Sequence, residues 1–464
     1  MSQQPLARQS QDRAGPTDQI ISFAAGLNWP ALDSAVRHAA KRHFLDTVGV
    51  TIAGGVGDVA TKLEGILASV RAGGTVPVPG RRRRADMLDA AAIAGTGAHG
   101  IELDDGYRLG SVHPGVAVVP TLMALAHGRS ISGTRILDAV VAGYEAITAI
   151  ARACHAILRQ RGFHPTGTVG ALGAAVAASR LMNLSAREMS NALGLAASAS
   201  AGLFAFLGGG ADVKRLHAGH AAREGLNAAL LANAGVEGPP NVLEASDGFF
   251  QAFASKTACD HFDMPPTAAF GLLDCYVKPY ACCRHLQPAV EALMMLCREH
   301  ALTEADVERI DVETYAIAAH HAATGWDTFA NAQLSFPFVL VLGLRYGGIE
   351  LTHFERNVLD EPLITEIAKR IQISVCPELD RTYPANRPAR VTLHTARGTF
   401  SRTVREALGS SDLPLDDAGL ERKFTGLVAP VVGPDRAAQL IEQIWSIEKA
   451  QDVTPLIELT SLAP

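Results

Sequence analysis

Four short stretches hold side chains able to move protons or bind anions. They are SVHPG (111–115), GFHPTGTVGALGAA (162–175), ADVKRLHAGHAAREG (211–225) and KPYACCRH (278–285). Each places His113, His164, Lys214, Lys278, Arg284 or His285 beside Pro or Gly, or at an element boundary, where functional groups are commonly presented. Imidazoles exchange protons near neutral pH. Lysine and arginine hold carboxylates through charge-assisted hydrogen bonds. Taken together, these groups point to proton transfer at a carbon next to a carboxylate.

A fifth stretch, IELDDGYRLGSVHPG (101–115), interrupts an apolar helical pattern with polar and glycine residues. It crowds Glu102, Asp104, Asp105, Tyr107 and Arg108 near His113. Acidic groups beside an imidazole orient it and shift its pKa. The alternative is that Asp104 and Asp105 cap a helix and His113 lies on the surface. Gly208-Gly209-Gly210 precedes a helix carrying His217 and His220. Glycines before a helix leave N–H groups free for an anion, and Lys214 adds charge to that loop. This stretch reads as one wall of a pocket for a small carboxylate.

Other chemistries lack their motifs. No Walker A loop, no G-x-G-x-x-G after a strand and no G-x-S-x-G elbow occur. His217 and His220 lie at i, i+3, but H-E-x-x-H and any Cys/His cluster are missing. The expectation is therefore no cofactor and no metal. Net charge is −6, which gives no basic field for nucleic acid. The run Arg81 to Arg84 reads as a solvated loop. Apolar runs such as Val116 to Ala126 are too short to cross a bilayer, so no membrane is expected. The seven cysteines form no C-x-x-C, which fits a reducing, cytoplasmic setting.

These groups need a scaffold. A chain of 464 residues exceeds what one core usually supports, so two domains are expected. Residues 1–17 read as a disordered lead. Helices are predicted for Leu32 to Ile52, Val59 to Arg71, Met87 to Gly100, Ile131 to His155 and His217 to Ala234, with helix resuming after Pro120. From about Leu272 the texture changes. Val307 to Ala316, Ile371 to Cys376 and Ala389 to Thr395 alternate like strands, and Arg397-Gly398 turns into Thr399 to Val404. After Glu406 helix returns. The fold class is mainly α: a large discontinuous all-helical domain, 18–271 plus 405–464, with an inserted smaller α+β domain at 272–404.

The four opening motifs, in that order, resemble the MmgE/PrpD family along nearly the whole chain. That family includes 2-methylcitrate dehydratases, cis-aconitate decarboxylases and an iminodisuccinate epimerase. The resemblance implies a helical domain, an α+β lid and a homodimer. It implies catalytic roles for His113, His164 and Lys214, with Asp104 and Asp105 in the acidic loop. It also implies substrate contacts from Lys278, Tyr280, Arg284, His285, Glu102 and Tyr107. Two departures stand out. The acidic loop reads Glu102-Leu103-Asp104-Asp105-Gly106 without the threonine of a D-x-D-D-T pattern, and Phe338 replaces a tyrosine in Ala332-Gln333-Leu334-Ser335-Phe336-Pro337-Phe338. Both changes remove polar groups and favour an epimerase of the iminodisuccinate type. The alternatives are a lyase, by dehydration or decarboxylation, or a non-catalytic carboxylate-binding relative.

Overall fold

The computed structural model describes residues 14–210, 212–264 and 270–463. Its helical body is built on alanine and glycine. The helices Ser34–Gly55, Met87–His99, Gly115–Ala126, Gly133–Cys154, Pro165–Met182 and Asp212–Asn233 pack side against side. Where three of them cross, Ala117, Ala171, Ala174 and Ala221 form a small cluster of their own. A Cβ on Gly219 would stand 2.2 Å from the carbonyl oxygen of Ala92, and one on Gly173 would stand 2.1 Å from Ile147. Such small residues let backbones approach closely, and that proximity later brings functional side chains together.

The body draws on both ends of the chain. Asp417–Val432 packs against Ser34–Gly55, and one hydrophobic cluster runs from Ile20 to Val277 and again from Leu420 to Ile457. A second cluster holds Ala281 to Leu393 and reaches into the body at Val50, Ala98, Val116 and Ala218. It surrounds a four-stranded sheet in which Ile371–Val375 lies parallel to Val307–Thr314, followed antiparallel by Ala389–Thr395 and Gly398–Val404. The helix Gln287–His300 covers the last two strands. Alternation along Ala389–Thr395 places Ala389, Val391 and Leu393 under that helix.

Some details differ from the sequence reading. Helix Pro16–Gly26 begins inside the segment read as a disordered lead, with Thr17 donating to Glu244 at 2.6 Å; residues 1–13 lie outside the described residues. Helix Gly115–Ala126 starts before Pro120 and contains it. The proline removes one backbone donor, but every residue of this helix is buried, so tertiary packing overrides the local break. Helix Asp212–Asn233 starts early enough to carry Lys214 in its first turn rather than in the loop. The arginine run is pinned rather than merely solvated: Arg81 pairs with Glu64 and Arg84 with Glu458. Among the described residues no helix is long and apolar enough to cross a membrane.

Candidate active site

The acidic loop is the centre of the site, and three separate elements hold its backbone. Arg215 donates to the carbonyl of Gly100 at 2.8 Å, Gln333 to that of Ile101 at 2.8 Å, and Lys423 to that of Leu103 at 2.7 Å. Gly106 and Tyr107 pair antiparallel with Tyr276 and Cys275, a two-residue ladder the sequence did not disclose. Glu102 sits at a φ of 55°, a left-handed conformation costing a non-glycine residue about 1–2 kcal/mol. Its carboxylate contacts the ammonium groups of both Lys214 and Lys278.

Asp104 is fully buried behind them. It accepts from Lys278 at 3.2 Å and from His99 Nδ1 at 2.7 Å, and lies 2.9 Å from His113 Nδ1. Burial alone would raise its pKa, but Lys278, His113 and His99 outweigh that and hold it well below the usual carboxylate range. With Nδ1 of His113 donating to Asp104 or to the carbonyl of Asp105, 2.6 Å away, Nε2 is left as the nitrogen for chemistry. Asp105 does structural work: it accepts from the Gly115 amide at 3.0 Å and from Tyr144 at 2.8 Å, capping the helix that follows.

His164 precedes Pro165, which fixes the start of its helix. Its amide donates to Gly202 at 3.0 Å, and its ring lies against Phe204 and Phe206 at 4.9 and 5.4 Å. Burial, aided by the neighbouring His99, pushes its pKa well below the usual histidine range. Lys214 is likewise depressed, first by burial and then by Lys278, while Glu102 pulls the other way. Lys278 is raised: burial opposes its charge, but Asp104 overcomes that.

These groups face one cleft of about 690 Å³ of atom-free space, part of it open to solvent. Its walls include His113, His164, Lys214 and Glu102 from the body and Lys278, Arg284 and His285 from the segment beyond it. Asp104, Asp105, Tyr107 and Tyr280 do not line it. Tyr107 is buried with its hydroxyl unpartnered, and Tyr280 turns to Glu291. Sequence reasoning missed Arg159, Tyr276, His321, Tyr383 and Arg387, all of which line the cleft. Arg387 and Tyr383 fall in TYPANRP, a proline-rich boundary of the kind that flagged the other groups. His99 and His217 also belong to the surrounding network, and only His217 had been singled out, as half of a metal pair.

Five cations line the cleft, Arg159, Lys214, Lys278, Arg284 and Arg387, against the single carboxylate of Glu102. The guanidinium of Arg284 donates to Gln287 and to the carbonyls of Ala407 and Leu408, each at 2.7 Å. Arg159 stacks 3.6 Å from the Phe204 ring centre, and Arg387 lies over Tyr276. These direct acceptors and rings are neutral, and Glu406 and Glu291 act on Arg284 only from farther away, so positive charge remains for an anionic guest. His99, Asp104 and His113 bring ligand-type atoms within 4.8 Å of one another. In that trio the Lys278 ammonium already takes the cation's place on Asp104.

Residues 18–261 match the model of the MmgE/PrpD N-terminal domain, and residues 280–448 match the MmgE/PrpD C-terminal domain. The chain is 27% identical to a cis-aconitate decarboxylase of Aspergillus terreus (strain NIH 2624 / FGSC A1156), over 98% of each chain. It is 27% identical to the cis-aconitate decarboxylase of Homo sapiens over 96% of this chain and 94% of that protein, and 26% identical to that of Mus musculus over 96% and 93%. These relatives are decarboxylases, hence lyases, and they overturn the expectation of an epimerase. The structure explains why the two departures misled. Phe338 is fully buried against Trp326 and Phe354, away from the cleft, so a hydroxyl missing there takes nothing from it. At Gly106 a Cβ would stand 2.4 Å from the hydroxyl of Tyr276, so a cleft-lining tyrosine fills the space a threonine would use.

Proposed function

Since the chain belongs to the MmgE/PrpD family, we propose that it is a lyase that decarboxylates a small unsaturated tricarboxylate of the cis-aconitate type with its own side chains. The observation that carries this reading is the excess of cations facing the cleft. A buried cation needs an anion to balance it, and a tricarboxylate supplies several.

The chemistry follows from the substrate. The carboxylate on the saturated carbon leaves as carbon dioxide. The electron pair it leaves behind forms a new double bond to the central carbon. The old double bond shifts its pair to the far carbon, which then takes a proton. Negative charge builds meanwhile on the carboxylate attached to that far carbon. Cations fixed there stabilise this state more than the ground state, which lowers the barrier. Lys214 and Lys278 at the Glu102 end suit that task, and His164 or Lys214 suits delivery of the proton. His113, oriented by Asp104, is the second acid–base group. Arg159, Arg284 and Arg387 hold the remaining carboxylates. The segment 272–404 acts as a lid over the body, and the working unit is a homodimer.

The test is proton NMR of purified protein in deuterium oxide with cis-aconitate and, separately, 2-methylcitrate. One equivalent of carbon dioxide with an unsaturated dicarboxylate from the first is expected. Water loss from 2-methylcitrate alone makes the protein a dehydratase, and no reaction with either substrate rejects the catalytic reading.

A further inference from the structure

His217 plays no part in the scheme above, yet its ring makes a polar contact with the ring of His164. The two Nδ1 atoms are 3.0 Å apart. The contact exists because two helices meet closely. A Cβ on Gly167 would stand 3.2 Å from the Cβ of His217, and one on Gly202 would stand 3.5 Å from its ring. His217 lies one turn beyond Lys214 on helix Asp212–Asn233.

We propose that His217 is the positioning residue for His164, donating its Nδ1 proton to His164 Nδ1 so that His164 presents Nε2–H to the cleft. Two facing nitrogens at this distance share one proton, and whichever ring donates it sets the tautomer of the other. Neither ring readily holds two protons. Burial pushes His217 down to about 4, with His220 and Lys214 adding to the effect. His164 is surrounded by His99, His113 and Arg159, none of which welcomes a second positive charge. The nearby ammonium of Lys214 opposes extra charge on the His217 ring, and in the acid role His164 must carry its proton at Nε2, which solvent restores after each turnover. The donor across the Nδ1 contact is therefore His217. This inference rests on the acid role proposed for His164.

The experiment compares His217→Asn with His217→Leu. The Asn amide places a donor close to the former Nδ1, and Leu removes it. His217→Leu is expected to lose about 100-fold in kcat with KM little changed, since positioned acid–base groups contribute roughly 10²–10⁴-fold. His217→Asn is expected to recover most of that loss. Equal activity of the two variants, or a change confined to KM, overturns the proposal. Nitrogen-15 NMR of histidine-labelled wild-type protein is independent of turnover and of how the variants fold. It should show His164 protonated at Nε2 and bare at Nδ1, and the opposite tautomer overturns the proposal even if the decarboxylation reading stands. Failure of the substrate test with the expected tautomer in place removes the function and leaves the positioning intact.

Discussion

Lys214 and Lys278 are buried on opposite walls of one cleft, and both touch Glu102, yet their charges fare differently. On the helical wall, Lys214 is pushed well below the usual lysine range by burial and by the second ammonium. On the other wall, Lys278 has Asp104 directly beside it and is raised. The difference teaches that burial alone does not decide a charge's fate: Lys278 contacts two carboxylates, Glu102 and Asp104, where Lys214 contacts only Glu102. It also divides the labour. The helical wall holds groups poised to lose or gain a proton, Lys214 and His164. The facing wall holds fixed charge, Lys278 together with Arg284 and Arg387.

That division can be broken one residue at a time. The largest effect is expected from Lys214→Ala, which should lower kcat by roughly 10²–10⁴-fold in steady-state assays while unfolding stays near wild type. Lys278→Met should lower kcat as well and, unlike Lys214→Ala, should also cost stability. It strands Asp104, and breaking a buried pair costs about 3–5 kcal/mol, read by urea denaturation. If Lys278→Met is as stable as wild type, the fixed-charge description of that wall is wrong. Arg387→Met should raise KM roughly 10- to 100-fold, the equivalent of one charge-assisted contact of about 1.5–3 kcal/mol, with kcat little changed. The smallest effect is on pH dependence. A depressed lysine loses its proton as pH rises past its lowered pKa, so the alkaline limb of kcat should fall well below the ordinary lysine value of about 10.4. The depressed pKa of His164 keeps it neutral through the range where a free histidine protonates, so its acid limb should lie below about 6.5.

The sequence disclosed the helical wall better than the facing one. His113, His164 and Lys214 sit in motifs whose prolines, glycines and helix starts show in the chain itself. The strands near Val307, Ile371 and Ala389 showed in the chain because strand alternation is a local signal. What stayed hidden depends on distant partners. His99 ends an apolar helix, and nothing local marks it as the partner of Asp104, five residues on across a loop. The ladder of Gly106 and Tyr107 with Tyr276 and Cys275 joins residues far apart in sequence, and no local pattern announces two paired residues. Phe338 misled for the same reason: whether its missing hydroxyl mattered depended on which way the side chain faced, and it faces the core.

The division between the walls is tested most directly by observing both lysines at once. Carbon-13 NMR of protein labelled at lysine Cε, assigned with Lys214→Ala and Lys278→Met, follows each ammonium through a pH titration. Lys214 should titrate well below the ordinary lysine value of about 10.4, and Lys278 should stay protonated beyond it. Coincident titration of the two near that value, or loss of the Lys278 proton before that of Lys214, would contradict the account.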